Sequence, residues 1–181
     1  MPVFQLSQQP LFPPVELAES NGLLAIGGDL STERLIEAYK KGIFPWYSKG
    51  DPILWWFTSP RFVIRPEEFH IPKRLLRDFK KPLYEIRYDF DFSETIHLCG
   101  ETREKEGEET WITEEMKKAY ITLHKQGYAH SVECYEKDVL IGGLYGVALG
   151  RVFSGESMFS LKNNGSKIAL VALIRYLKKR N

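Results

Sequence analysis

The sequence is poor in the residues that build disulfide and metal frameworks. Its 181 residues include two cysteines, Cys99 and Cys134, and four histidines. Two cysteines cannot form a disulfide framework, and a low count favours a reducing compartment. His97 and Cys99 lie close in sequence but lack the further ligands that a zinc site requires. We therefore expect no metal site and a cytoplasmic location.

Long apolar runs are also absent. No stretch reaches the ~18 apolar residues that a transmembrane helix needs. The first ten residues, MPVFQLSQQP, lack the basic and apolar regions of a secretory signal. The composition, with 43% hydrophobic and 27% charged residues, is that of an ordinary soluble protein. We expect no membrane partner, and a length that suits one well-cored domain or two small ones.

The net charge of +1 excludes little, because it hides an uneven distribution. Basic residues concentrate in 61–87 and after Glu156, whereas many of the acids lie in 101–109. The spacing in HIPKRLLRDFKK (70–81) predicts a helix with one apolar face and one cationic face. A cationic face is either simply solvated or binds phosphate groups, and both interpretations stay open at this point.

The predicted elements follow an α+β order. Ser31 and Thr113 are good N-caps for two amphipathic helices. The other predicted elements are strands at 61–66 and 84–92, three strands within 129–159, and an apolar helix over 166–180 capped by Ser166. The second half, with antiparallel strands between helices, is compatible with an acyltransferase sheet. We place a small N-terminal domain at 1–62 and a second domain at 63–181.

Aromatic residues and prolines crowd the segment GIFPWYSKGDPILWWFTSPR (42–61), which has six aromatic residues and three prolines. A core strand rarely carries so many prolines, because each removes a backbone donor. Trp55 and Trp56 are assigned to structure, since neighbours on an extended chain face opposite sides. Trp46 follows Pro45 in a turn-rich stretch, which favours an exposed, stiffly held ring.

Long segments of the chain resemble the leucyl/phenylalanyl-tRNA–protein transferase family. The first is NGLLAIGGDLSTERLIEAYKKGIFPWYSKGDPILWW, and the others, in order, are TWIT, LHKQGYAHSVE, IGGLYGVALGRVFSGESMFS and SKIAL. The resemblance implies a small N-terminal α/β domain followed by a GNAT-like acyltransferase domain. It also implies transfer of Leu, Phe or Met from aminoacyl-tRNA to proteins beginning with Lys or Arg, which marks them for degradation. No cofactor is implied, and we expect a monomer.

The same resemblance assigns roles to individual positions. Glu156 is implied to lie beside the reacting groups, where we expect it to position them. The residues implied to hold the 3′ adenosine are Trp46 and Trp111, and those implied to form the acyl side-chain pocket are Leu144, Phe153, Leu170 and Leu173. With tRNA as partner, the cationic face of 70–81 gains a role in binding the RNA backbone, through Lys73, Arg74, Arg77, Lys80 and Lys81.

Members of this family usually continue beyond the position of Asn181, with a strand that carries an Ile-Asp-x-Gln motif. We therefore expect the C-terminal part of the acyltransferase domain to be missing. Two alternatives remain: an inactive tRNA-binding remnant, and a coenzyme A-dependent N-acetyltransferase whose pyrophosphate would bind at residues 163–166. His130 and Cys134 are interpreted as structural residues rather than as a catalytic dyad.

Overall fold

The fold combines two antiparallel-rich sheets with five helices in the described residues, which confirms the predicted α+β class. It is known from a computed structural model that describes residues 3–105 and 110–180, without the side chains of 104 and 105. Part of the acidic segment 101–109 therefore lies outside the described residues. The strands are β1 (Phe4–Leu6), β2 (Leu23–Gly27), β3 (Phe44–Pro45), β4 (Leu54–Trp56), β5 (Tyr84–Tyr88), β6 (Ala129–Glu136), β7 (Val139–Leu149) and β8 (Val152–Ser160). The helices are α1 (Thr32–Lys40), α2 (Lys73–Phe79), α3 (Phe92–Lys105), α4 (Glu114–Lys125) and α5 (Gly165–Lys178), with a short 3₁₀ turn at Val15–Leu17.

The first sheet is built around Trp55. Its strand order is β1-β2-β4-β3, with β1 parallel to β2 and the other pairs antiparallel. Trp55 is completely buried, stacks edge-on against Phe12 at 4.9 Å and donates its indole N–H to the Gly27 carbonyl at 2.8 Å. Satisfying the N–H inside the core lets the large ring be buried without a polar penalty. The structural role predicted for Trp55 is therefore confirmed.

The second sheet is an antiparallel meander in the order β5-β6-β7-β8. Helix α5 covers one face, where Leu144 packs, and α3 and α4 cover the other face, where Tyr145 packs. The N-terminus of α5 approaches β7 very closely, since a Cβ atom on Gly142 would lie 2.4 Å from the Gly165 carbonyl carbon. A residue with any side chain at Gly142 would therefore push α5 off the sheet.

A β-bulge interrupts the pairing of β7 with β8 at Glu156. Tyr145 pairs with Ser157 and Gly146 pairs with Gly155, so Glu156 is the extra residue between them. A bulge shifts the alternation of side chains along its strand and re-aims the inserted residue. As a result, Phe153 packs on the α5 side of the sheet, whereas Phe159 packs on the α3 and α4 side.

One hydrophobic cluster runs through both parts of the chain. It joins Leu35 and Trp55 from the N-terminal part to Tyr120 and Phe159 from the C-terminal part. Helix α1 packs against α4 and β7, which carries its residues to the second sheet. The division at residue 62 and the GNAT-like character of the second sheet stay predictions.

Three local predictions were wrong. The strand predicted at 84–92 ends at Tyr88, and α3 already begins at Phe92. Residues 61–66 form no strand and are largely exposed, because no neighbouring strand edge in the described residues pairs with them. Helix α5 begins one residue earlier than predicted, with Asn164 rather than Ser166 as its N-cap. Asn164 adopts φ 67°, a left-handed conformation that Asn tolerates better than most residues. The predicted N-caps Ser31 and Thr113 are confirmed. The side chain of each accepts a hydrogen bond from the backbone amide three residues later.

Candidate active site

Glu156 lies where the two parts of the chain meet. The bulge in β8 turns it toward the hydroxyl groups of Tyr39, on α1, and Tyr120, on α4. Tyr120 donates to Glu156 Oε2 at 3.4 Å, and the two tyrosine hydroxyls also hydrogen-bond to each other. A carboxylate in this position is partly buried but has polar partners, as a buried charge requires.

The tyrosine pair was missed by the sequence analysis. The helical spacing predicted both Tyr39 and Tyr120 as members of apolar stripes, and their rings do pack in the core. Tyr120 is completely buried and meets Tyr145 edge-on at 5.7 Å. The useful signal was the hydroxyl itself, because a Tyr on the buried face of a helix usually places its O–H beside a polar partner.

The surroundings of Glu156 make it much harder to ionise than an exposed glutamate. Burial raises its pKa from 4.5 to about 7, although hydrogen bonds from Tyr39 and Tyr120 and the charge of Arg61 work in the opposite direction. Desolvation therefore outweighs the favourable partners. Near neutral pH this group is divided between carboxylate and carboxylic acid, so it can accept or donate a proton in a hydrogen bond.

Trp46 is exposed directly after β3. Just over half of its surface is open to solvent, at 52%. Its ring lies against Trp56 at 5.8 Å, and Trp56 donates its indole N–H to the Trp46 carbonyl at 2.7 Å. The backbone is fixed again by a hydrogen bond from the Trp46 amide to the Leu54 carbonyl at 3.0 Å. The ring is thus held on a stiff support with one face available for stacking.

Trp111, the second predicted adenosine contact, is partly buried just before α4. The chain around Trp46 reaches the same region, since Tyr47 lies close enough to Thr113 and Glu115 to interact with both. Burial raises the pKa of Tyr47 in this contact. The structure therefore brings the neighbourhoods of the two tryptophans together at the start of α4.

The four predicted acyl-pocket residues gather in one hydrophobic cluster. Leu144 and Leu173 are buried in it, and Phe153 and Leu170 pack against it from β8 and α5. The Phe153 ring lies directly over Gly146, where an added Cβ would be 2.5 Å from the ring. A cavity of about 400 Å³ opens beside this cluster, with Phe153 and Leu173 in its wall.

The predicted basic helix is shorter than its sequence pattern, because α2 spans Lys73–Phe79 and Lys80 is its C-cap. All five predicted cations are exposed: Lys73, Arg74, Arg77, Lys80 and Lys81. Lys81 forms an ion pair with Asp78 at 2.8 Å. The second basic stretch lies alongside, since Arg175 of α5 stacks its guanidinium over Phe79 at 5.3 Å. The two basic regions that are separate in sequence are therefore adjacent in the fold.

Residues 163–166 do not resemble an open pyrophosphate loop. The Ser166 amide donates to Ser160 Oγ at 2.9 Å, and Gly165 is pressed against β7. Such a loop needs free amides at a helix N-terminus, so this packing weakens the coenzyme A alternative. Cys134 is buried, and burial raises its pKa to about 11, so its thiol stays protonated and unreactive.

Comparison with known proteins defines the class of the chain from both parts of the fold. The family model described as leucyl/phenylalanyl-tRNA protein transferase N-terminal domain matches residues 28–59, around the Trp46 loop and α1. The model described as leucyl/phenylalanyl-tRNA protein transferase matches residues 63–181, which include Glu156 and the hydrophobic cluster. The chain belongs to the leucyl/phenylalanyl-tRNA–protein transferase family, which confirms the resemblance found in the sequence.

Individual relatives support the same family. A leucyl/phenylalanyl-tRNA–protein transferase of Desulfotalea psychrophila is 58% identical over 99% of this chain and 79% of its own length. The proteins of that name from Syntrophobacter fumaroxidans and Syntrophotalea carbinolica are 52% and 51% identical, each over 98% of this chain, and are covered over 76% and 77% of their lengths. Within the described residues, no helix is long and apolar enough to cross a membrane.

Proposed function

We propose that this chain transfers an aminoacyl group from aminoacyl-tRNA to the N-terminal α-amino group of a protein. The observation that carries the proposal is the match to this family over both parts of the chain, 28–59 and 63–181. The donors are leucyl-, phenylalanyl- or methionyl-tRNA, and the acceptors begin with Lys or Arg. The added residue marks the acceptor for degradation.

The reaction is aminolysis of an ester. The neutral α-amine of the acceptor attacks the ester carbonyl, the ribose oxygen leaves, and the proton lost by the amine ends on that oxygen. An α-amine has an unperturbed pKa of about 7.7–8.0, so part of it is neutral at pH 7. Because the ester is already activated, holding amine and ester together supplies much of the acceleration.

Glu156 holds the acceptor amine in this proposal. Its carboxylate has one side occupied by the Tyr120 and Tyr39 hydroxyls, which fixes its orientation. An oxygen of the same carboxylate then accepts a hydrogen bond from the attacking amine and orients its lone pair toward the ester. The raised pKa of Glu156, about 7, lies close to that of the amine, so the pair can share a proton without either group carrying a costly charge.

The donor end occupies the rest of the site. The terminal adenosine stacks on Trp46 and contacts Trp111, since an unpaired base is gripped by aromatic rings for about 1–3 kcal/mol each. The amino-acid side chain enters the cluster of Leu144, Phe153, Leu170 and Leu173. This cluster lies on the α5 face of the sheet, whereas Glu156 meets Tyr120 on the other face, so the donor reaches both by passing around the edge strand β8. The dry walls of the cluster reject charged side chains, because no partner there would satisfy a charge.

The body of the tRNA lies across α2, which binds backbone phosphates without reading sequence. Replacing Lys73 and Arg77 by Ala should weaken tRNA binding and lower the slope of log K against log salt by about 1–2. Lys81 is left in place because it is paired with Asp78. A matched control removes two exposed lysines of α4, Lys118 and Lys125. An equal loss of tRNA binding in the control would mean that the cations of α2 are only solvated and do not bind the tRNA.

The remaining assignments follow from the same family. We propose a small N-terminal domain at 1–62, a GNAT-like domain at 63–181, a cytoplasmic location and a monomeric state.

The deciding experiment measures labelled leucine moving from leucyl-tRNA to a peptide that begins with Arg, with a peptide that begins with Ala as control. Transfer to the Arg peptide alone is the expected result. Binding of leucyl-tRNA without transfer would identify the inactive remnant. Transfer of acetyl groups from acetyl coenzyme A, with no aminoacyl transfer, would identify the acetyltransferase.

A further inference from the structure

Arg61 connects the two halves of the candidate site. Its guanidinium lies over the ring of Phe44 at 5.0 Å, two residues before Trp46. The charge of the same side chain also acts on Glu156 and favours its ionised form. Gly42 provides the space, since an added Cβ there would lie 3.7 Å from Arg61 Nη1. The sequence analysis counted Arg61 only as part of a basic stretch and placed it in a strand that does not form.

The Arg61 side chain has donors to spare. It is exposed, and in the described part of the chain its one hydrogen bond is a long contact of 3.5 Å from Nη2 to Thr58 Oγ1. A guanidinium carries five N–H donors in a planar fork that matches an oxyanion. Stacking on Phe44 fixes the plane of that fork, so less freedom is lost when a ligand binds.

We propose that Arg61 binds the phosphate group attached to the 5′ oxygen of the terminal adenosine of the donor tRNA. The inference rests on the proposed function and specifies a contact within the same site. Besides its 2′ hydroxyl, that one ribose carries the base, the ester on the 3′ oxygen and the phosphate on the 5′ oxygen. With the base on Trp46 and the ester at Glu156, the phosphate needs a cation within reach of both, and Arg61 meets that condition.

The test compares donors with and without the phosphate. The donors are leucyl-tRNA, 3′-leucyl-adenosine 5′-phosphate and 3′-leucyl-adenosine. Arg61→Ala should lower kcat/KM about 10–100-fold on the two donors that carry the phosphate, the loss expected for a hydrogen-bonded charge pair. On 3′-leucyl-adenosine it should lower kcat/KM much less, because only the long-range effect of the Arg61 charge on Glu156 is lost with that donor. Arg61→Lys should recover part of the loss, because lysine keeps the charge but not the two-pronged geometry.

Arg65→Ala is the matched control. Arg65 is an exposed arginine of the same segment, paired with Glu68 at 3.2 Å. Its replacement should leave kcat/KM unchanged on all three donors. An equal loss for Arg61→Ala on all donors would overturn the proposal and place Arg61 at the ester or at Glu156. No loss on any donor would also overturn it.

Binding measurements separate this proposal from the proposed function. Adenosine 5′-monophosphate should bind the wild-type chain more tightly than adenosine, and Arg61→Ala should abolish the difference. If wild-type protein transfers no leucine but shows this difference, the proposed function fails and the phosphate site stands. If the wild-type protein transfers leucine, but both wild type and variant bind adenosine 5′-monophosphate no more tightly than adenosine, the phosphate site fails.

Discussion

Replacing Glu156 by Gln should change how the stability of the protein depends on pH. Burial raises the pKa of Glu156 from 4.5 to about 7. The folded protein therefore keeps this proton to a higher pH than the unfolded chain does, and stability falls as the pH rises through this range. The full penalty is about 3 kcal/mol, and about 2.5 kcal/mol of it develops between pH 5 and pH 8.

Glutamine has a similar shape but cannot ionise, so the variant escapes this penalty. Urea unfolding at pH 5 and pH 8 should show the variant gaining about 2–3 kcal/mol relative to wild type over that interval. Leucine transfer should fall at the same time, because the amide presents one oxygen acceptor in place of a carboxylate.

Glu114→Gln serves as the control for this measurement. Glu114 is exposed, and its hydrogen bond from Lys117 lowers its pKa, which keeps it ionised over the range in which Glu156 titrates. The difference from wild type should then be constant between pH 5 and pH 8. A constant difference for Glu156→Gln as well would refute the claim that Glu156 is a desolvated carboxylate. Unchanged transfer would remove its role in holding the amine.

Five further substitutions test the site and the fold. Trp46→Ala should abolish most of the binding of adenosine 5′-monophosphate, measured by calorimetry, with little loss of stability. Trp55→Ala should instead lower the free energy of unfolding by about 3–5 kcal/mol, measured with urea, because that ring is completely buried. Gly142→Ala should destabilise the protein by about 1–3 kcal/mol, whereas Gly155→Ala, with open space around it, should stay within about 0.5 kcal/mol. Leu170→Ala should shift the ratio of kcat/KM for phenylalanyl- over leucyl-tRNA upward by about tenfold, since it enlarges the pocket, and an unchanged ratio would place Leu170 outside it.

Local signals predicted the elements that carry strong short-range patterns. Thr113, followed by two glutamates, predicted the start of α4. The apolar residues that recur after Ala129 predicted the strands β6 to β8. These elements depend on neighbours in sequence, through caps and periodic burial, so their signal is contained in a few residues. The family was recognised differently, from the resemblance of long segments such as NGLLAIGGDLSTERLIEAYKKGIFPWYSKGDPILWW, and that resemblance also separated Trp46 from its support.

Contacts between distant segments were not accessible from such patterns. Tyr39 and Tyr120 look like ordinary stripe residues until packing of α1 on α4 brings their hydroxyls to one carboxylate. The apolar residues after Arg61 have strand composition, yet they form no strand, because pairing requires a free partner edge as well as a suitable sequence.

The chain's short-range chemistry thus accounts for its α+β class, and its resemblance to known sequences supplied the family and the residue types of the site. The position of Glu156 comes from long-range packing, because its bulge exists only where β8 is one residue longer than the matching stretch of β7. The same packing brings Arg61 over the ring of Phe44 and within electrostatic range of Glu156. The register of β8 on β7 and the packing of α1 on α4 are set by contacts that form only when the sheets and helices assemble. The raised pKa of Glu156 and the position of Arg61 therefore appear only in the folded molecule.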